Sequence, residues 1–289
     1  MAIDVAKLKA WPHKPIEHRY TFRDSILYAL GVGLGQDPLD RKQLRFLYED
    51  GLQALPTMAV VLGSPGFWSK DPGTGIDWVK ILHGEQHLVL HAPLPAEGTV
   101  IGLTRVTALV DKGADKGALM YSEKTLTDPS GKLLATATGV SFLRGDGGFS
   151  ANGQPSDVAP PPRPATPDRA PDRVCELKTR PEAALIYRLS GDYNPVHADP
   201  DVAAKAKFPQ PILHGLCSFG VTGHALLATL CDYDPARLKE IGTRFSSPVY
   251  PGETLRVEMW VDGANVQFRT RVVERDVVVL SHGTAVIVP

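Results

Sequence analysis

Each half of the chain closes on three apolar runs. In the C-terminal half these are Leu255–Val261, Val266–Arg275 and Val277–Val288. In the N-terminal half they are Thr99–Val110, Leu119–Leu126 and Leu133–Leu143. Alternation is clearest in Val266-Gln-Phe-Arg-Thr-Arg-Val272, which puts its apolar residues mainly on one face, the mark of a half-buried strand. Short links such as Asp262-Gly263 and Glu274-Arg275-Asp276 suit antiparallel hairpins. Leu88-Val-Leu-His91 also alternates like a strand. A different pattern occupies His214–Cys231, which is apolar nearly all round and therefore reads as a buried helix. Its small residues Gly220, Gly223, Ala225 and Ala228 would let a sheet come close.

The halves echo each other. Leu27-Tyr-Ala-Leu-Gly31 is matched by Ile186-Tyr-Arg-Leu-Ser190-Gly191, and the turn His91–Gly98 by Ser247–Gly252. The pattern predicts an α+β protein in which a central helix is wrapped by a curved antiparallel sheet, made twice. An α+β sandwich without the duplication would read similarly. Ser156–Arg173, SDVAPPPRPATPDRAPDR, is proline-rich and expected to be extended, semi-rigid and exposed. The expected units are residues 1–152, a linker at 153–173, and residues 174–289.

Composition narrows the function classes. Of 289 residues, 43% are apolar and 22% charged, ordinary for a soluble globular protein. The net charge is −1, which argues against a general nucleic-acid binder. The apolar runs are short and broken, so no membrane span is expected. Met1–Trp11 has no apolar signal core and Ala285–Pro289 is no peroxisomal tripeptide; with three cysteines and no CxxC pair, a reducing, cytoplasmic setting is the expectation.

The densest chemistry lies in Tyr187-Arg-Leu-Ser-Gly-Asp-Tyr-Asn-Pro-Val-His197. Gly191, Asn194 and Pro195 are turn formers, so Asp192 and His197 sit on a bend that can face both at one point. A carboxylate and an imidazole converging there make a general acid–base pair, and Asn194 can hold the loop or orient a water. The plainer alternative is a tight turn whose Asp caps a backbone N–H, with a surface His.

Other signals are weaker. Gly31-Val-Gly-Leu-Gly35 lacks the spacing and βαβ setting of a dinucleotide loop. His83, His87 and His91 brush against a zinc-protease motif, but the Glu is misplaced, so no metal is expected. Asp199, Asp201 and His214 could ligate something, although Asp199-Pro-Asp reads better as a helix start. Cys217, inside the buried helix, reads as a structural thiol. Arg144-Gly-Asp146 reads as a turn.

The segment Tyr187–His197, continued to Ala203, resembles the signature of the (R)-specific enoyl-CoA hydratases, the MaoC-like or hydratase 2 family. Tyr28–Gly33, His83-Gly-Glu-Gln86, Asp111-Lys-Gly113, Tyr121-Ser-Glu-Lys124, Pro211–Cys217 and Pro248–Gly252 extend the likeness over nearly the whole chain, to the two-domain form. The resemblance implies a double hotdog fold. It implies that Asp192 and His197 are a catalytic dyad adding water across a trans-2-enoyl-CoA to give the (R)-3-hydroxyacyl-CoA, in β-oxidation or a related acyl-CoA route. It assigns the Gly215 N–H as oxyanion donor. The remaining motif positions Tyr193, Asn194, Pro195 and Val196 are expected at the substrate, and His83, Gly84, Lys112 and Phe245 are expected to contact the CoA ester. Glu49 matches a supporting acidic residue. No cofactor is implied. The N-terminal half lacks an Asp-x-Asn-Pro-x-His segment and is expected to hold the acyl chain without catalysing. A homodimer is the further association expected. The competing classes are a thioesterase on the same fold and a non-catalytic acyl-CoA binder.

Overall fold

The apolar runs pair into one sheet. The computed structural model describes residues 3–289. The helices are α1 (Val5–Lys9), α2 (Phe22–Gly31), α3 (Arg41–Leu44), α4 (Ala183–Tyr187), α5 (Pro200–Lys205) and α6 (Gly215–Leu230). The strands of the N-terminal half are β1 (Ile16–Tyr20), β2 (Ile81–Leu90), β3 (Gly98–Asp111), β4 (Ala118–Thr127) and β5 (Leu133–Leu143). Those of the C-terminal half are β6 (Arg173–Lys178), β7 (Leu238–Phe245), β8 (Thr254–Asp262), β9 (Asn265–Val272) and β10 (Val277–Ile287). The six predicted runs are β3, β4, β5, β8, β9 and β10, and the predicted helix is α6.

The ten strands form a single antiparallel sheet in the order β1-β3-β4-β5-β2-β7-β10-β9-β8-β6. Each half has the same internal order, read inward from its own edge, which bears out the duplication. The halves meet where β2 pairs with β7, with His87 opposite Gly242. The sequence pattern catches only the end of β2 and misses β7. The reason is visible at the junction: β7 alternates Glu240, Gly242 and Arg244 on its outer face, and these meet charges rather than water alone. Arg244 bonds Glu85 at 2.8 Å, and His87 Nε2 lies 2.8 Å from Glu240. A polar outer face that is paired across strands looks, in one dimension, like loop.

The linker is extended and mostly exposed, as expected, but it is not free. It crosses the outer face of the sheet as a strap. Asp157 accepts the Leu109 N–H of β3, and Arg163 reaches both Glu85 of β2 and Thr284 of β10. Further on, the Ala165 carbonyl accepts from Gln267 of β9 and the Arg169 carbonyl from Trp260 of β8. Gly242 has no side chain because the Arg163 guanidinium lies 2.4 Å from where its Cβ would stand.

Under the sheet lies α6, packed against β6, β7, β8 and β10. Its glycines do not serve the sheet, as the pattern suggested. They admit the other half: a Cβ on Gly220 would fall 2.5 Å from Val32 Cγ1, and one on Gly223 would fall 2.5 Å from Thr57 Cγ2. Side chains of α6 also close the end of α2. Cys217 Sγ donates to the Gly31 carbonyl at 3.3 Å and His224 Nδ1 lies 3.4 Å from the Val32 carbonyl. A helix end leaves carbonyls unpaired, and these two groups help satisfy them. Cys217 is buried, with its thiol pushed up by burial, so its structural reading holds.

The helical layer of the N-terminal half is divided. It consists of α2 and a five-residue 3-10 turn, Pro56–Val60, which packs against β2, β5 and α6. The echoed segments of the two halves meet between them. Tyr28 of α2 and Tyr187 of α4 are both fully buried, with ring centroids 5.9 Å apart.

Candidate active site

The Asp192 turn is built by its own residues. α4 tightens into a 3-10 turn, Arg188–Ser190, which stops at Gly191 with φ 115°. Only glycine enters that region without steric cost. Asp192 Oδ1 then accepts the Asn194 N–H at 3.1 Å, and Asn194 Oδ1 accepts the Val196 N–H at 3.3 Å. Asn194 thereby caps the turn Pro195–His197, whose first residue needs no N–H bond. Asp192 does cap a backbone N–H, as the plainer reading held, but His197 is buried rather than on the surface.

His197 is fixed from behind. Its Nδ1 lies 2.8 Å from the Ile212 carbonyl, so Nδ1 carries the hydrogen and Nε2 keeps its lone pair. Burial lowers its pKa, and the nearby Asp192 charge works against that shift. The imidazole is therefore neutral at pH 7. The Asp192 carboxylate, a His197 nitrogen and a His214 nitrogen lie within 4.8 Å of one another. This is the convergence the sequence anticipates for Asp192 and His197. Among the described residues, the other two suspected sets do not assemble. Asp199 instead caps α5 by accepting from Asp201 and Val202, and His83, His87 and His91 turn to separate partners, Phe245, Glu240 and Thr136.

His214 precedes α6, so the Gly215 N–H opens the helix. That N–H has no intramolecular acceptor among the described residues, and the helix dipole adds positive character there. The Phe245 ring covers Gly215, with Cε1 3.1 Å from where a Cβ would stand. The His83 ring packs on Phe245 with centroids 4.7 Å apart. His83 stands where β2 breaks register against β5, and Gly84 is the irregular residue. Its ring stays open to solvent, yet the protein around it lowers its pKa. His83, Phe245, Gly215, Asp192 and His197 are thus brought to one region.

The other expected residues lie further out. Tyr193 is 59% exposed, beneath the Arg188 guanidinium at 5.2 Å. Lys112 is exposed on the β3–β4 hairpin and has no carboxylate partner among the described residues. Its neighbour Asp111 holds the turn by accepting from Gly113, Gly148 and Ser150. Glu49 is exposed after α3. That segment docks on the far end of α6, where Arg45 reaches the Asp232 and Tyr233 carbonyls, so Glu49 stands apart from the dyad. A hollow of about 700 Å³ on the outer face is lined by Pro164, Trp260 and Gln267 and contains no His or Cys.

Sequence reasoning missed His214, which it weighed only as a ligand beside Asp199 and Asp201. Its position directly before a glycine that opens a buried helix was the available signal.

The arrangement is a carboxylate and two imidazoles grouped beside the open N-terminus of a buried helix, within a duplicated, helix-wrapped sheet. That defines a double hotdog protein of the MaoC type. The fold is shared with a conserved hypothetical protein of Mycobacterium tuberculosis described as having a double hotdog fold (TM-score 0.59, 13% identity, 96% of each chain). Residues 163–282 match the MaoC like domain, and residues 18–145 match the MFE-2 hydratase 2 N-terminal domain. The peroxisomal enoyl-CoA hydratase 2 of Arabidopsis thaliana is 43% identical, over 93% of this chain and 91% of that protein. The crystal structure of a MaoC-like dehydratase from Phytophthora capsici superposes with a TM-score of 0.86 at 38% identity, over 99% of both chains. This chain belongs to the two-domain hydratase 2 family. No helix among the described residues is long and apolar enough to cross a membrane.

Proposed function

We propose that this protein is an (R)-specific 2-enoyl-CoA hydratase of acyl-CoA metabolism, with Asp192 and His197 as the dyad and the Gly215 N–H as oxyanion donor. The observation that carries the reading is the meeting of the Asp192 carboxylate and the His197 imidazole beside the unpaired N–H that opens α6. A trans-2-enoyl thioester has an electron-poor C3. A water held between Asp192 and His197 gives its hydroxyl to C3 as one of the pair takes a proton. The enolate that develops at the thioester oxygen is met by the Gly215 N–H. A proton then passes from the pair to Cα, so one water is consumed and the dyad ends as it began. Delivery of both groups from one side gives addition to one face. His83, Gly84 and Phe245 would flank the thioester, Tyr193, Asn194, Pro195 and Val196 would form the turn beneath it, and Lys112 would meet a CoA phosphate. Glu49 would support the N-terminal half rather than touch substrate.

The same fold serves thioesterases, which attack the thioester carbonyl instead. A site with both dyad groups around a common point favours water addition at C3. We place the protein in the reducing cytoplasm, in keeping with three free thiols, as a homodimer without nucleic-acid partners. The peroxisomal name of the Arabidopsis relative points to the alternative compartment.

The test is hydration of a trans-2-enoyl-CoA, with the product read by (R)- and (S)-specific dehydrogenases. The expected product is the (R)-alcohol, and Asp192→Asn should lower kcat by roughly 10²–10⁴-fold. A double variant of Asp192 and His197 should be little worse than either single one, because groups acting as a unit are non-additive. Mainly (S) product, free CoA release, or near-parental kcat in a folded Asp192→Asn enzyme would overturn the reading.

A further inference from the structure

His214 does three things at once. Its Nε2 lies 3.1 Å from the Asp192 carbonyl, so Nε2 carries the hydrogen and donates. Its ring is stacked on His197, with centroids 3.7 Å apart and planes at 25°. Its own carbonyl accepts the Cys217 N–H at 3.0 Å and so starts α6. It is 1% exposed, and its Nδ1 is buried without a hydrogen-bond partner. Such an atom is tolerable as a bare lone pair, but a protonated Nδ1 would be a buried donor with nothing to bond.

We infer that His214 is the positioning residue of this site: one neutral side chain that fixes Asp192, His197 and the Gly215 N–H relative to one another. The inference rests on the hydratase reading above. The dyad turn and α6 belong to separate elements. Val196 and His197 are tied to Ile212, two residues before His214, but among the described residues the Asp192 backbone has no other hydrogen bond to the start of α6. The Nε2–H bond supplies the tie, and the ring face keeps water off one side of His197. The groups facing this pair of rings are Asp192 on the same turn, Arg188 just before it, Tyr187 of α4, and His83 of β2 across Asp192. Burial first and then His197 keep His214 from protonating. A residue that sets distances in the transition state without binding substrate should act on kcat and leave KM alone.

Two variants separate the parts. His214→Gln keeps a donor near the Nε2 position and loses the stacked ring. His214→Phe keeps a ring and loses the donor. Each is assayed for hydration beside Asp192→Asn, with thermal unfolding and circular dichroism to show that α6 is intact. The expected result is a kcat loss of roughly 10–100-fold in the Phe variant, with KM within about threefold of the parent. Partial recovery of kcat is expected in the Gln variant. In the Gln variant the acid limb of kcat/KM should move up toward the ordinary imidazole value, as water reaches His197. Parental kcat and an unmoved acid limb in both variants would overturn the inference. If Asp192→Asn itself stays active, the hydratase assignment of the turn fails instead, and the two failures are told apart.

Discussion

The two halves place different groups at the inner end of the same scaffold. In the C-terminal half, α6 is sixteen residues long, and its N-terminus opens at Gly215 toward the Asp192 turn. In the N-terminal half the turn Pro56–Val60 is only five residues of 3-10 helix, against the same kind of sheet. Inward-facing residues on the matching strands reflect this. Thr270 of β9 exchanges a 2.9 Å bond with Thr222 of α6, both fully buried. Lys124 of β4 points its Nζ at the carbonyls of Ala59, Val60 and Leu62, at 3.2, 2.9 and 2.5 Å. One half thus leaves the N–H at the positive end of a helix without an intramolecular acceptor among the described residues. The other half closes the negative end of its short helix with an ammonium. Burial pulls the Lys124 pKa down to about 7. The three carbonyls oppose that pull, because an ammonium has three hydrogens for three acceptors and a neutral amine does not.

The sharpest way to break this comparison is to remove both inward groups in turn. Lys124→Met keeps the length and leaves three carbonyls buried and unpaired. It should cost about 2–4 kcal/mol in denaturant unfolding, the scale of several orphaned buried groups. Thr270→Val removes one neutral bond and should cost about 1 kcal/mol. Neither should change kcat per folded molecule by much. Equal costs would mean that Lys124 is no more than a space-filler.

Acid sharpens it further, because the buried histidines gather around α6. His214 and His224 have their pKa values lowered to about 4 by burial, and that of His197 is lowered for the same cause. Below about pH 6.5 the unfolded chain takes up protons that these residues refuse in the folded state. Their contribution to stability is therefore whole above that value and is lost as pH falls toward about 4. The melting temperature should decline across this window. His224→Gln, which retains a polar partner for Tyr233, should flatten the decline. A melting temperature unchanged from pH 7 to 4.5 would count against neutral buried histidines.

Much of this was legible in one dimension. The outer strands of each half alternate or run apolar because one face is buried, so β3–β5 and β8–β10 could be read directly. The dyad turn could be read because Gly191, Asn194 and Pro195 declare a bend. What could not be read depends on partners far away in sequence. β7 carries Glu240 and Arg244 because β2 supplies His87 and Glu85. Gly220 and Gly223 look like sheet-facing residues until Val32 and Thr57 arrive from the other half. His214 looks like a stray ligand until the stack on His197 is seen.

The smallest expected effect lies at Lys112, on the exposed β3–β4 hairpin. It is exposed on a hairpin whose geometry is set by Asp111 and not by the lysine itself. Replacing it should therefore leave the fold unchanged. In the proposed enzyme its role would be one exposed charge contact with a CoA phosphate, worth about 0.2–1 kcal/mol. Such a contact is made equally to substrate and transition state, so Lys112→Ala should raise KM roughly two- to fivefold and leave kcat unchanged. Salt should erase the difference, since the Debye length shrinks from about 10 Å at 0.1 M to about 3 Å at 1 M. The measurement is KM for an enoyl-CoA and for the matching N-acetylcysteamine thioester, which lacks the phosphates, at low and high salt. A KM rise confined to the CoA ester at low salt supports the contact. An equal rise with both thioesters would place Lys112 in the hairpin's own structure, and the N-terminal half would then hold substrate by its acyl chain alone.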